Sequence, residues 1–351
     1  MTEVLWRDPA KGRLITCHRT PSGQMLDLLR GAVWGSRDTK YQILNIEAKL
    51  QRLRDPLYFV LSEHGEELCV FVLDHCRKPV GRSECDAYHF AMAATVRHRR
   101  NQGLAGILID QIRPYCEARL GKPGLGFAYV ESTTEFSLRL SDRVGHSIEA
   151  DIALLLFTRF FPHEDARVGR IGREEIDGFR AALKDLYADH ELVDVDASVN
   201  PDECFVYRRA GNVAAGVQAE VLRWSVESMP GFAGKLLLEG LPLVPGLKRV
   251  IDLRDLRILR FGNLLVPEGS EAEFFTVLSA CLARHEARIG LIMLDERSPV
   301  LARLRRHGRF GLLSRGLNGS VKLCLDTVGM EPDLAARLAN HPLHVSAADV
   351  F

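Results

Sequence analysis

Hydrophobic residues in the first half of the chain recur at two alternating spacings, one typical of strands and the other of helices. Short apolar or alternating runs predict strands, and recurrences every three to four residues predict helices. Ser22 suits a helix N-cap, and Pro56 ends a helical pattern. The predicted elements are a strand over 14–18, a helix within 22–35, a helix from Ser36 to about Leu53, two strands within 57–76 around a His64-Gly65 turn, a strand over 87–96, a helix over 103–120, a strand over 127–131, a helix over 134–144 and a strand over 152–160.

The second half repeats a similar order of elements without repeating residues. The polar stretch Pro162 to Gly172 contains two glycines and is interpreted as a linker. Two domains, 1–162 and 173–351, are therefore predicted, which also suits a chain of 351 residues. The predicted elements of the second half are a helix over 173–190, strands over 204–209 and 213–224 around Gly211-Asn212, a strand over 256–266, a helix over 271–288, a strand over 289–294, a helix over 299–307 and a strand over 321–328.

Composition narrows the classes of protein that fit. Lys plus Arg equals Asp plus Glu at 46 each, which argues against a general nucleic-acid binder. Eight scattered cysteines without a Cys-x-x-Cys pair or a His/Cys cluster indicate reduced core thiols and no zinc site. The N-terminal residues hold no apolar signal segment, and no apolar run reaches the roughly 18 residues that span a membrane. We therefore expect a cytoplasmic protein with no metal and no membrane partner.

The stretch VRHRRNQGLAGILI places four consecutive basic residues, Arg97 to Arg100, between a predicted strand and a predicted helix. The first N–H groups of a helix lack intrahelical partners and carry partial positive charge, so such a turn suits an anion. Gly103 permits close approach of the backbone, and arginines add bidentate phosphate donors, which favours a pyrophosphate. Neither a Walker loop nor a Gly-x-Gly-x-x-Gly motif is present. From the residues alone, a solvated basic turn without a ligand stays open.

The six residues Arg100 to Ala105 match the Arg/Gln-x-x-Gly-x-Gly/Ala signature, and Leu14 to Phe161 thereby resembles the GNAT acyltransferases. The resemblance implies a mixed, mostly antiparallel α/β sheet flanked by helices, with an acyl-CoA, most simply acetyl-CoA, as co-substrate. It implies that the backbone of the signature loop and the side chain of Arg100 hold the pyrophosphate, while the preceding strand end binds the pantetheine arm. The positions concerned are Ala94, Thr95, Val96, Arg100, Asn101, Gln102, Gly103, Leu104, Ala105 and Gly106.

The resemblance also implies catalytic positions, with one departure from the family pattern. Ser141 stands where the family commonly has a tyrosine that protonates the CoA thiolate, and a serine is a poorer acid. For the general base, His89 and Asp86 lie on the strand before the signature, and Glu131 lies on the next strand. His89 ranks first because the ordinary pKa of histidine suits proton transfer near neutrality. A half-buried histidine, a turn aspartate and a strand-end glutamate are the structural alternatives.

The corresponding turn of the second half, LLVPEGSEAEFF, is acidic where the first is basic. Pro267 removes an N–H donor, and Glu268 and Glu271 would repel a pyrophosphate. A second GNAT-like unit with a degenerate CoA site is expected, and an unrelated α/β domain is the alternative. Ser270 and Glu273 predict a capping box. The arginine-rich run Glu296 to Gly311 is typical of a solvated helix face and, less often, of a binding surface.

These observations lead to three hypotheses about the function. The first is an acyl-CoA-dependent N-acyltransferase that transfers an acetyl group to a primary amine, on a small molecule or a protein, by direct attack. The second is a non-catalytic protein that binds acyl-CoA in a regulatory role, an alternative that Ser141 supports. The third is a structural two-domain protein without a nucleotide. The residues predict neither the acceptor nor the oligomeric state.

Overall fold

The structure is a computed structural model that describes residues 2–35, 39–132, 134–229, 252–310 and 319–349. The described chain forms two units. Unit 1 consists of Met1–Glu149, Lys322–Ala339 and Asp349–Phe351, and unit 2 consists of Ala150–Val321 and Asn340–Ala348. All eight cysteines are buried free thiols, as the scattered spacing predicts.

Unit 1 is built from strands with helices on both sides. Its elements are β1 (Thr2–Asp8), β2 (Arg13–His18), α1 (Gly23–Arg30), β3 (Lys40–Ile43), α2 (Ile46–Leu50), β4 (Pro56–Glu63), β5 (Glu66–Val80), β6 (Ser83–Thr95), α3 (Leu104–Arg119), β7 (Gly124–Glu131) and α4 (Glu135–Val144), with β14 (Gly319–Val328) and α9 (Pro332–Asn340) contributed largely by the end of the chain.

The strands of unit 1 follow the order β1-β2-β4-β5-β6-β7-β14. Every pairing from β1 to β6 is antiparallel, and β6 and β7 form a parallel pair joined through α3. A bulge at Ala91 interrupts the β5–β6 ladder, because Val72 faces Met92 while Leu73 faces Phe90. A bulge bends its strand and increases the local twist, and here it lies where β6 leaves β7.

Helix α3 is held in place by an apolar stripe that packs on the sheet of unit 1. Leu104, Leu108 and Ile112 are buried in one cluster with Phe59, Phe71 and further strand residues. Burying a leucine or isoleucine side chain contributes about 1.5–3 kcal/mol, so the stripe fixes the helix and its N-terminus firmly on the sheet. Gly103, in the left-handed region at φ 76°, turns the chain into this helix.

Unit 2 also consists of strands and helices. Its elements are β8 (Ile148–Thr158), β9 (Val168–Arg170), α5 (Ile176–Leu186), α6 (Val195–Ser198), β10 (Cys204–Arg209), β11 (Asn212–Ser228), β12 (Leu256–Leu265), α7 (Glu271–Arg284), β13 (Ile289–Asp295) and α8 (Pro299–His307). The residues of β8 from Ala150 onward belong to this unit.

The strand order of unit 2 is β8-β13-β12-β11-β10-β9. Pairing is antiparallel from β9 to β12 and between β13 and β8, while β12 and β13 form a parallel pair joined through α7. Each unit therefore contains an antiparallel ladder followed by one strand–helix–strand crossover into a parallel partner. This is the repeat in element order that the sequence predicts.

Two strands lie in a different unit from the one the sequence predicts. The predicted boundary between 162 and 173 assigns β8 to the first domain and β14 to the second. In the structure β8 pairs with β13 of unit 2, and β14 belongs to the sheet of unit 1. A hydrophobic strand pattern shows that a strand is buried but not which sheet it joins. The predicted linker also holds strand β9, which pairs with β10.

The predicted helix from Ser36 to about Leu53 is wrong. Its first three residues lie outside the described part of the chain, and the rest form strand β3 and the short helix α2. Tyr41 pairs with Trp34 through two backbone hydrogen bonds, which sets an extended conformation at this point. The sequence does not predict strand β1, because Thr2–Asp8 has little apolar alternation. In the structure this segment forms an edge strand that pairs with β2.

Candidate active site

The signature loop forms a short 3₁₀ turn at Arg97–Arg99 and then enters α3. Asn101 and Gly103 both take left-handed backbone conformations, at φ 63° and 76°. Gly103 is the N-cap and has no side chain to bond the first N–H groups of the helix. Those groups lack intrahelical partners and concentrate positive potential there.

Space in front of α3 is open. A Cβ placed on Gly103 would meet no atom within 4 Å. The first turn of α3 contains no acidic residue that would repel an anion. The loop therefore has the geometry of an anion site, with backbone donors, an unobstructed approach and a favourable helix dipole.

The basic residues of the loop differ in their contacts. Arg99 is engaged within the protein, because it donates to Glu63 at 2.7 Å and to Gln102 at 2.8 Å. His98 lies 3.7 Å from the carboxylate of Glu66. Arg100 donates through Nε to the backbone oxygen of Thr95 at 3.3 Å, a contact that holds the guanidinium between the end of β6 and the loop. Arg100 is therefore anchored beside the loop, with an exposed side chain.

Gly106 has a packing role that the signature does not indicate. A Cβ at this position would lie 2.5 Å from a guanidinium nitrogen of Arg143 on α4. Arg143 also makes two hydrogen bonds to Asp110 of α3, at 2.7 and 2.6 Å. The side chains of Leu104 and Ala105 are buried in the core. The side chains of Leu104 and Ala105 are therefore unavailable to a ligand at the loop, and only backbone groups of these residues remain.

Strands β6 and β7 part beyond a short paired region. Their parallel register runs from Asp86 opposite Gly124 to His89 opposite Phe127 and goes no further. β6 continues to Thr95, and β7 continues to Glu131. Backbone groups of 90–95 that point away from β5 therefore have no ladder partner in β7, and the space between the two diverging strands is the candidate cleft. Ala94, Thr95 and Val96 lie at the end of β6 beside the signature loop, where the resemblance to the GNAT acyltransferases implies that the pantetheine arm binds.

His89 is poorly suited to act as a general base. Its side chain is buried and stacks on Phe127, with ring centroids 4.7 Å apart. Burial, reinforced by the charges of Lys78 and Arg54, lowers the pKa of His89 to about 3. A histidine with so low a pKa accepts a proton weakly at neutral pH. The first-ranked base of the sequence therefore has the environment of a core histidine.

Asp86 lies at the wrong end of the paired region. It faces Gly124, three residues before the strands part. Its carboxylate accepts hydrogen bonds from His75 Nε2 at 2.7 Å and from the Gly121 N–H at 3.1 Å. These contacts tie the β6 strand to the α3–β7 loop, which is a structural role.

Glu131 lies beyond the parting point at the end of β7. Its carboxylate accepts hydrogen bonds from the hydroxyls of Tyr41 and Thr134. Burial raises the pKa of Glu131, and these two hydrogen bonds partly oppose the shift. Of the three predicted bases, Glu131 alone combines a position along the cleft with a raised carboxylate pKa. Tyr41, its partner, lies on a segment that the sequence assigns to a helix, so the pair could not be foreseen.

Ser141 is buried on α4 and is not isolated. Its Oγ lies 2.5 Å from Nδ1 of His146, which follows the helix C-cap Gly145. The thiol of Cys324 on β14 is a second hydrogen-bond partner of Ser141. His146 also contacts the ring of Phe90 edge-on, with centroids 5.8 Å apart. The sequence gives no sign of this contact.

The corresponding helix N-terminus of unit 2 is occupied by the protein's own side chains. Arg303 lies 3.3 Å from Glu271 and donates to the Val266 oxygen at 2.5 Å. Arg209 is paired with Glu273. The predicted capping box is wrong, because the Ser270 hydroxyl donates to the Pro267 oxygen at 2.6 Å instead of accepting from the helix.

The parting point of β12 and β13 is filled as well. Their parallel register ends at Phe261 opposite Ile292. Immediately beyond it, a Cβ on Gly262 would lie 2.7 Å from the Cβ of Ala347, so the segment Asn340–Ala348 packs directly on β12. Arg260 holds this segment by donating to the Ala347 oxygen. Unit 2 thus has paired acidic side chains at the start of α7, and its strand edge is covered by the segment Asn340–Ala348.

The arginine-rich run of the second half is largely engaged in ion pairs. Arg297 pairs with Asp295 at 2.7 Å and Arg305 with Glu296, while Arg303 holds α7 as described. The sequence allows two interpretations of this run, a solvated helix face and a binding surface. The ion pairs fit the solvated helix face.

The described residues contain neither a metal-binding cluster nor a membrane-spanning helix. No group of three or more His, Cys, Asp or Glu side chains among them is arranged to hold a metal ion. Across the same residues, no helix combines the length and the apolar character needed to cross a membrane.

Comparison with known proteins gives structural relatives only. No protein-family model matches the chain, and no curated protein sequence matches it. Two structures of Saccharomyces cerevisiae N-myristoyltransferase with bound myristoyl-CoA superpose with TM-scores of 0.58 and 0.59. They are 8% and 9% identical, and the alignments cover 94% of this chain and 89% and 84% of theirs.

A GCN5-related N-acetyltransferase from Kribbella flavida aligns with a TM-score of 0.49 and 12% identity, over 91% of this chain and 72% of its own. At such low identities the likeness concerns architecture. The mixed, mostly antiparallel sheet flanked by helices, which the signature predicts, is confirmed by the strand order of unit 1 and by the superposition on N-myristoyltransferase. The chain has the GNAT fold.

Proposed function

We propose that the chain is an acyl-CoA-dependent N-acyltransferase whose donor site lies in unit 1. The observation that carries the proposal is the coincidence of two open features along one stretch of chain. β6 leaves its parallel partner at His89, and within fifteen residues α3 presents an unobstructed N-terminus at Gly103. The relatives with bound myristoyl-CoA have the same fold, which supports a CoA ligand.

In this proposal the signature loop holds the CoA pyrophosphate. Backbone N–H groups from Asn101 to Gly106 face the phosphates, and Arg100 adds a charged donor beside them. The pantetheine arm runs along β6 from Val96 toward the parting point. There it forms hydrogen bonds with those backbone groups of 90–95 that β5 leaves free, much as an added strand would.

Glu131 is proposed as the general base. The amine nitrogen attacks the acyl carbon, and its proton passes to the carboxylate as the carbon–sulfur bond breaks. A buried carboxylate with a raised pKa is a stronger base than an exposed one. The hydrogen bond from Tyr41 orients the carboxylate and favours its ionised form.

The proposed donor is acetyl-CoA, and the proposed acceptor is a primary amine on a small molecule or a protein. The preference for acetyl rests on the resemblance of the signature, so longer acyl chains belong in the same assay. One donor site per chain is expected, because the first turn of α7 is acidic and the strand edge of unit 2 is covered. A cytoplasmic setting remains part of the proposal.

The alternative, acyl-CoA binding without transfer, has one observation in its favour. Ser141 replaces the usual tyrosine and is already engaged by His146. The two functions separate in a thiol-release assay with acetyl-CoA and myristoyl-CoA over a panel of primary amines, run beside a binding titration. Amine-dependent CoA release that Glu131→Gln suppresses supports the enzyme. Binding without release by any amine supports the alternative, and no binding refutes both.

A further inference from the structure

The histidine after α4 is fixed in position from three sides. The backbone N–H of His146 donates to the backbone oxygen of Ser141 at 3.3 Å, in the helix-ending turn at Gly145. The next residue, Ser147, donates its N–H to Leu325 of β14 at 2.8 Å. The ring lies edge-on to Phe90 of β6. The direction of its two nitrogens is therefore set by the fold rather than by solvent.

The hydrogen-bond partners of Ser141 allow the proton of the imidazole to lie on Nε2. Burial raises the pKa of Cys324 and lowers the pKa of His146 to about 4, so at neutral pH the thiol and the imidazole are both uncharged. In the tautomer that the inference requires, the Cys324 S–H donates to Ser141 Oγ and the Ser141 O–H donates to His146 Nδ1. A neutral imidazole whose Nδ1 accepts must carry its proton on Nε2.

That Nε2–H is a buried donor without a hydrogen-bond partner among the described residues. It lies near the last paired residues of β6 and β7. A Cβ on Gly126 would lie 3.5 Å from the Cβ of Asp326, 3.8 Å from the ring of Phe90 and 4.0 Å from Nε2. Gly126 is one residue before Phe127 in the last strand pair, and Phe90 is the first β6 residue beyond it. A buried unmade hydrogen bond is costly, and such groups mark sites where a ligand supplies the partner.

We propose that His146 Nε2–H is the donor that stabilises the departing CoA thiolate, and that Ser141 and Cys324 are positioning residues that hold the imidazole in this tautomer. The inference rests on the proposed acyltransferase function. As the bond from the amine nitrogen to the acyl carbon forms, the carbon–sulfur bond breaks and its electron pair stays on sulfur. Nε2–H donates a hydrogen bond to that sulfur and keeps its proton, and the amine proton goes to Glu131.

This role explains why the position of the usual tyrosine tolerates serine. A tyrosine on α4 would reach the sulfur itself, whereas Ser141 is too short and reaches it through the ring of His146. A neutral imidazole is a very weak acid, so it acts here by hydrogen bonding and not by proton transfer. Donors aimed at a developing charge in a water-poor site are among the larger contributions to catalysis.

Nuclear magnetic resonance of the full chain tests the inference without relying on turnover. The Nε2–H signal of His146, identified among the 12 histidines by its loss in His146→Phe, is followed on adding CoA or desulfo-CoA, which lacks only the sulfur. We expect a shift with CoA and little with desulfo-CoA. Binding of both with an equal response at His146 would overturn this inference and leave the CoA site intact. If neither CoA nor desulfo-CoA binds, the proposed function is refuted and this inference with it.

Kinetics provides the second readout. His146→Phe keeps a ring but removes the donor, and it is expected to lower kcat about 10- to 100-fold with little change in acyl-CoA affinity. His146→Gln restores an N–H near the same place and is expected to recover most of that loss. Ser141→Ala should lower kcat only a few-fold, and not at all in the His146→Phe background. Equal loss in the Phe and Gln variants, or additive effects of the two sites, would contradict the assignment.

Discussion

His89 stacks on Phe127 with ring planes 11° apart, and this pair closes the parallel register of β6 and β7. Beyond it the strands no longer pair, so the stacked rings lie at the end of the candidate cleft. A histidine in this position has a structural role at the boundary of the cleft. Its low pKa follows from the same burial.

His89→Phe should therefore leave acyl transfer largely intact. The substitution keeps an aromatic ring against Phe127 and removes only a group that is uncharged near neutrality. We expect kcat/KM within about threefold of the parent, since surface area and packing change little. Steady-state kinetics at pH 6 to 9 checks this, and a loss of 100-fold or more in a folded variant would return His89 to the list of bases.

Glu131→Gln should lower kcat by about 10²–10⁴-fold, because the amide cannot accept the amine proton. Acyl-CoA affinity should change little, since the donor site is formed by the signature loop and β6. A binding titration on the same protein sample provides the control. If kcat persists while folding and binding are normal, another group removes the proton.

Acyl transfer should weaken as the pH falls through the raised pKa of Glu131. Below that pKa the carboxyl is protonated and cannot act as a base. The hydrogen bond from Tyr41 favours the ionised form, so Tyr41→Phe should raise the pKa of Glu131 further and move the acidic limb of the kcat profile to higher pH. Profiles of the two proteins with one amine measure the shift, and coincident acidic limbs would exclude Glu131 as the titrating base.

Asp349→Asn should destabilise the protein through a buried ion pair. Asp349 is 3% exposed and pairs with Lys78, which is 1% exposed, and with Arg54 at 3.1 Å. Removing one partner of a buried pair costs about 3–5 kcal/mol, because the other charge loses its compensation. Urea unfolding measures the change.

Asp177→Asn is the matched control for that measurement. Asp177 pairs with Arg180 at 3.4 Å but is 91% exposed, and exposed pairs contribute about 0–1 kcal/mol. Equal effects of the two substitutions on the unfolding midpoint would mean that the buried pair around Lys78 is not important for stability.

The parts of the fold that the sequence predicts are those with strong local signals. The hairpin around His64-Gly65 and helix α3 have clear periodicity and turn residues, and both lie within a few residues of the predicted bounds. The proposed anion site rests on the same local pattern of a strand, a glycine and a helix. The acidic turn of unit 2 is predicted for the same reason.

What the sequence does not predict depends on contacts distant along the chain. β8 and β14 carry ordinary strand patterns, and only tertiary pairing decides which unit each joins. Tyr41 reaches Glu131 across about 90 residues, and Cys324 reaches Ser141 across more than 180. The low pKa of His89 likewise comes from its burial, reinforced by the charges of Lys78 and Arg54, and no local pattern specifies these surroundings.

The most direct test of the account compares two glycines in calorimetric titrations with acetyl-CoA. Gly103 and Gly269 lie in the corresponding turns of the two units, with φ of 76° and 80°, and neither would crowd an added Cβ within 4 Å. Aspartate is among the residues that best tolerate this conformation, so both variants should fold. We predict one equivalent bound by the parent and by Gly269→Asp, and none by Gly103→Asp. Undiminished affinity in folded Gly103→Asp, or saturation at two equivalents, would contradict a single donor site at the N-terminus of α3.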